Sequence, residues 1–124
     1  MPVPKVVVVM NDLFFSAKIN DAAKQLGMTA VFVKDKAIAL EQFKLKPALV
    51  IFDLNCASVD PLELIQAARE AAIPSIGFIS HVQVDLKQKA QEAGCDTVVA
   101  RSVFAQKALE LIEQISRQPD REGT

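Results

Sequence analysis

Apolar positions along this chain keep two rhythms: continuous runs of four or five residues, and stretches in which they recur every third or fourth position. The first run, Val6 to Met10, is rich in β-branched residues and ends in a polar pair, the pattern of a strand covered on both faces. Phe15, Ile19, Ala22, Ala23 and Leu26 follow at helical spacing, and Gly27 stands where a C-terminal cap would end that helix. Ala30 to Val33 predicts a second strand, after which Asp35 can cap a helix through Lys44 with Ala37, Leu40 and Phe43 turned inward. Pro47 breaks the chain before a third run, Ala48 to Phe52, which stops abruptly at Asp53.

The same alternation continues to the end. Asp60 and Pro61 open a third helix with Glu63 in its first turn and Leu62, Ile65, Ala68 and Ala72 on its inner face. Ser75 to Ile79 forms the next strand, ending in Ser80 and His81; Leu86, Ala90 and Ala93 mark a fourth helix, capped by Gly94. Thr97 to Ala100 is a fifth strand ending in Arg101, and Phe104, Ala108, Leu111, Ile112 and Ile115 define the last helix. Residues 1–118 are expected to form one domain and residues 119–124 a flexible tail.

Five strands alternating with five helices over short connections imply βαβ units and a parallel sheet covered on both faces. With right-handed crossovers the simplest topology is a doubly wound, flavodoxin-like α/β fold with strand order 2-1-3-4-5, whose switch point lies between strands 1 and 3. Composition agrees: among 124 residues, 51% are hydrophobic and 23% charged, enough apolar material for a core and too much for a disordered chain. Fourteen Lys and Arg against 15 Asp and Glu leave a net charge of −1, so nothing draws the whole chain to nucleic acid or an anionic membrane. No run is long enough to span a bilayer or form a signal-peptide core. Cys56 and Cys95, with a single histidine in the chain, argue against a zinc cluster or disulfide framework and for a reducing cytoplasm. Seven phenylalanines match core spacing, and without Trp or Tyr there is no base-stacking platform for direct nucleic-acid binding. There is no GxGxxG or P-loop for a nucleotide cofactor, and glycines number only four.

In an open parallel sheet ligands bind beyond the carboxyl ends of the strands, where Asn11-Asp12, Asp53, Ser80-His81 and Arg101 should converge. Strands 1 and 3 each release a carboxylate at the switch point, and two acids brought close repel unless a cation or proton intervenes. Asp12, Asp53 and a loop carbonyl match the needs of Mg²⁺, which takes a few oxygen ligands and is often completed by phosphate. Ser80 adds a hydroxyl donor and Arg101 a permanent planar cation, both suited to phosphate oxygens. The set reads as a phosphoryl-transfer site with Asp53 as nucleophile.

With these residues in place, residues 4–117 resemble the response-regulator receiver family, CheY-like domains that accept a phosphoryl group on an aspartate. The resemblance rests on the acid after strand 1 (residues 10–12), the aspartate after strand 3 (50–55), the hydroxyl after strand 4 (78–80) and the Ala-Gly-Cys-Asp turn at 93–96. It implies that Asp53 is the phosphoacceptor, that Asp12 and Asp53 bind Mg²⁺ with the carbonyl of Asn55, and that Ser80 is the switch hydroxyl. It also implies a histidine kinase or phosphotransfer protein as phosphodonor, and a downstream protein docking on helix 4, strand 5 and helix 5 (residues 84–115). The chain itself is then no enzyme beyond slow self-dephosphorylation, and the reading is of a stand-alone, cytoplasmic signalling member without membrane or direct nucleic-acid contact.

Several positions depart from the family pattern. Asn11 replaces one acid of the usual pair, which predicts weaker metal binding; Arg101 replaces a lysine and Ser102 a proline; Val98 stands where an aromatic switch residue is usual; Ala57 replaces a proline; and the stretch from Pro74 to Ser80 is one residue longer than the common spacing. These departures keep a second expectation open, a phosphorylation-independent pseudo-receiver in which Asp12, Asp53 and Arg101 form a fixed ion-pair network. The plainer roles are helix capping for Asp12 and Asp60, a hydrogen-bonded loop residue for His81, and a small buried hydrophobe for Cys56.

Overall fold

The computed structural model describes residues 4–10, 13–56, 58–80 and 83–116, apart from the side chains of residues 13 and 14. Its elements are β1 (Lys5–Val9), α1 (Leu13–Gln25), β2 (Thr29–Val33), α2 (Lys36–Lys44), β3 (Leu49–Asp53), α3 (Pro61–Glu70), β4 (Ser75–Ile79), α4 (Val84–Ala93), β5 (Thr97–Ala100) and α5 (Arg101–Ser116). All four strand pairings are parallel and the order is β2-β1-β3-β4-β5, as the alternation of the sequence requires. Asn11, Asp12, Ala57, His81 and the expected tail at 119–124 lie outside the described residues.

The continuous apolar runs are explained by burial on both sides of the sheet. Val6 to Val9, Leu49 to Phe52, and Ile76 and Phe78 are fully buried, and alternate residues feed two separate cores. One core joins Val7, Val50 and Phe52 to Phe43 of α2, Leu64, Ile65 and Ala68 of α3, and Ala90 of α4. The other joins Val6, Val8, Ile51 and Phe78 to Phe15 and Ile19 of α1 and Phe104 and Ile112 of α5.

Helix boundaries follow the caps. The Asp35 carboxylate accepts the Ile38 N–H at 2.8 Å and opens α2, while Asp60 accepts from Leu62 and Glu63 and opens α3. Gly94 ends α4 with φ 114, and a side chain there would collide with Arg69.

The inward faces need three corrections. In α2 the buried residues are Ala39 and Phe43, four apart and so on one face, which leaves Ala37 exposed and Leu40 half-buried. In α3 Leu64 is buried beside Ile65 and Ala68, Leu62 is half-buried, and Ala72 lies past the helix end with φ 61. Phe32 on β2, the sheet's edge strand, is exposed rather than in the core. The last helix also departs from a single regular rod, because Lys107 has non-helical angles (φ −119, ψ 23) and divides α5.

Candidate functional site

Parallel pairing brings the ends of the central strands to one edge of the sheet. Val9 stands opposite Phe52, Asp53 opposite Phe78, and Ile79 opposite Ala100, so Asp53, Ser80 and Arg101 all emerge at the carboxyl end. β3 runs one residue further than its apolar run and includes Asp53 as its last position.

Asp53 is the one charged side chain that is buried among the described residues, 9% exposed. Its Oδ1 accepts the Asn55 N–H at 2.9 Å, and its carbonyl accepts the Cys56 N–H at 3.0 Å, which folds the chain into a tight turn beneath the carboxylate. Burial pushes the Asp53 carboxyl above the usual carboxylate range, and the Asn55 N–H, which favours the charged form, offsets only part of that rise. A carboxylate held up in this way is under-compensated, a condition that a nearby cation would relieve.

Asn55 has a second function that its sequence position does not reveal. Its side-chain Oδ1 accepts the Ser80 N–H at 2.8 Å and its Nδ2 donates to Gln83 Oε1 at 2.7 Å, so the turn after β3 is tied to the exit of β4 and the start of α4. Ser80 is exposed at that exit. Nothing in the local pattern singles out Gln83, since its partner is 28 residues away.

Arg101 is the first residue of α5, and its guanidinium lies over the Phe15 ring, 4.4 Å from the centroid, and 5.8 Å from that of Phe78. Phe15, Phe78 and Phe104 pack as a trio, with Phe15 edge-on to Phe78 at 4.9 Å, so the cation rests on a rigid aromatic base. The sequence announces the cation but not its platform, which is assembled from α1, β4 and α5.

The residues present suit a hard cation by their donor chemistry: a buried carboxylate and backbone carbonyls of the following turn, with oxygen donors only. No cluster of three or more His, Cys, Asp or Glu side chains suited to a metal occurs among the described residues; Asp12, the expected second carboxylate, lies outside them. Cys56 is buried, with its Sγ 3.3 Å from Ser58 Oγ. Cys95 is buried as well, and burial pushes its thiol up to about 11, which leaves it protonated and unreactive near neutrality.

The fold and the position of this aspartate define the class: a doubly wound α/β domain carrying an acid at the carboxyl edge of its central strand. Comparison with solved structures makes the class more specific, because the chain has the fold of response-regulator receiver domains. It superposes on a response regulator from Thermotoga maritima with a TM-score of 0.80 at 21% identity, covering 94% of this chain and 100% of that one. The response regulator domain of Thermotoga maritima CheB gives a TM-score of 0.76 at 21% identity over 96% of this chain and 100% of that one. The phosphorylated cyanobacterial phytochrome response regulator RcpA gives 0.79 at 16% identity, covering 94% and 96%. No family model matches the sequence, and no curated protein does.

Proposed function

We propose that this chain is an atypical receiver in two-component phosphorelay signalling, accepting a phosphoryl group on Asp53 in the presence of Mg²⁺ and acting through protein–protein contacts. The observation that carries the reading is Asp53 itself, a buried and under-compensated carboxylate at the carboxyl end of β3 in a receiver fold. An Asp53 carboxylate oxygen attacks the phosphorus of the donor, the bond from phosphorus to the donor's leaving group breaks, and the leaving group departs with that electron pair. Mg²⁺, held by Asp53, the Asn55 carbonyl and Asp12, would neutralise charge on the phosphoryl oxygens. Ser80 offers its hydroxyl to one such oxygen, and Arg101 supplies the permanent positive charge that a lysine supplies in typical receivers.

The phosphodonor is a histidine kinase or phosphotransfer protein, and a downstream protein docks on α4, β5 and α5. The kinase is the enzyme of the pathway; this chain contributes nucleophile and metal site and at most slow self-dephosphorylation. Among the described residues no helix is long and apolar enough to cross a membrane. The cytoplasm, where such kinases present their phosphohistidine, is the compartment proposed.

A second reading, the phosphorylation-independent pseudo-receiver with Asp12, Asp53 and Arg101 as a fixed ion-pair network, is favoured by one observation: the Arg101 guanidinium is already anchored at the site by the aromatic rings beneath it. Intact mass spectrometry after incubation with acetyl phosphate, with and without Mg²⁺, separates the two. The receiver predicts a single Mg²⁺-dependent phosphoryl adduct on the native chain and none on Asp53→Asn. No adduct, together with no effect of Mg²⁺ on the melting temperature, would leave the pseudo-receiver standing.

A further inference from the structure

Along the open edge of β5, between α4 and α5, lies a cleft of about 720 Å³. That volume is in the range of small-molecule sites, which run to about 300–1,000 Å³. The reason for the space is local. Val98, Val99 and Ala105 floor the cleft with short side chains, so no ring fills the gap between the two helices, and Val84 stands at the rim with 70% of its surface exposed. Both charged residues lining it are cations, Lys87 of α4 and Arg101 of α5, and no acid lines it among the described residues.

An apolar floor below two cations is complementary to one kind of occupant. We infer that the cleft is a binding site for a small organic anion, a compact apolar ring system bearing a single carboxylate or sulfonate-like group, with the rings against Val98, Val99 and Ala105 and the charge between Lys87 and Arg101. The inference is independent of whether Asp53 accepts phosphate. The cleft opens within the face proposed for protein docking, so its occupant would control access to that face directly.

The test titrates the full chain, without Mg²⁺ or phosphodonor, with 8-anilinonaphthalene-1-sulfonate and with its uncharged relative N-phenyl-1-naphthylamine. The sulfonate should bind saturably with blue-shifted emission, raise the melting temperature as a native-state ligand does, and bind about tenfold more tightly than the neutral dye. Lys87→Glu, a change at an exposed position, should weaken the sulfonate about fivefold or more and leave the neutral dye unchanged. Val98→Phe should fill the floor and remove binding of both dyes. If that variant does not fold, amide chemical-shift changes in the native chain decide the location, and they should centre on Val98, Val99 and Lys87. Absence of saturable binding, equal affinity for the two dyes, indifference to Lys87→Glu, or shifts centred elsewhere would each overturn the assignment.

Discussion

A single carboxyl sets the energetics at the sheet edge. Asp53 is held above its ordinary range mainly by burial, so its proton is bound more tightly in the folded chain than in the unfolded one. With the folded value raised, the stability the group contributes is full below the unfolded pKa and is lost as the pH rises through the folded value. Asp53→Asn keeps the shape and the acceptor for the Asn55 N–H but removes the charge. Without divalent cations it should therefore melt at a higher temperature than the native chain near about pH 7, with the gain shrinking towards about pH 4. Calorimetry at the two pH values checks this, and a variant no more stable than the native chain near neutrality would mean that burial is not the dominant force. Asp53, Ser80 and Arg101 could be picked out from the sequence because each directly follows an apolar run. The side chain of Asn55 could not, because its hydrogen bonds reach across 25 and 28 positions that only the folded sheet brings together.

At the scale of the element, capping outweighs surface charge pairing. Asp60 accepts the Leu62 N–H at 3.1 Å and the Glu63 N–H at 3.5 Å, whereas Lys36 and Glu63, which join α2 to α3 at 2.8 Å, are about half exposed at 54% and 50% and contribute little. Asp60→Ala should lower the unfolding free energy by about 1 kcal/mol, read as an earlier urea midpoint with an unchanged slope. An unshifted midpoint would show that water replaces the cap without loss. Both aspartate caps and the Gly94 cap were legible because capping is local chemistry. The division of α5 at Lys107 was not, because Phe104, Ala108, Ile112 and Ile115 are all buried and keep their periodicity across it. Ala37 and Ala72 misled for a related reason: alanine fits either face of a helix, so the inward side is decided by neighbours such as Phe43 and Leu64.

At the scale of the molecule, two cores on opposite faces of one sheet must be assembled together, and the aromatic trio spans α1, β4 and α5. Phe104 is fully buried in that trio. Phe104→Ala should cost about 3–5 kcal/mol, a large share of the about 5–15 kcal/mol that holds a domain of this size folded. Urea denaturation measures it, and a loss under about 1 kcal/mol would mean that the trio closes over the gap. The strand order was legible from alternation alone, since right-handed crossovers leave few alternatives. The cleft beside β5 was not, because a void depends on how far apart two helices settle. The bridge made by Asn55 also gives the molecule a gauge of its own condition. The Ser80 amide hydrogen is sheltered by a side chain anchored on a different strand's exit. Its exchange with solvent therefore records, at one backbone position, whether the turn carrying Asp53 is seated or released.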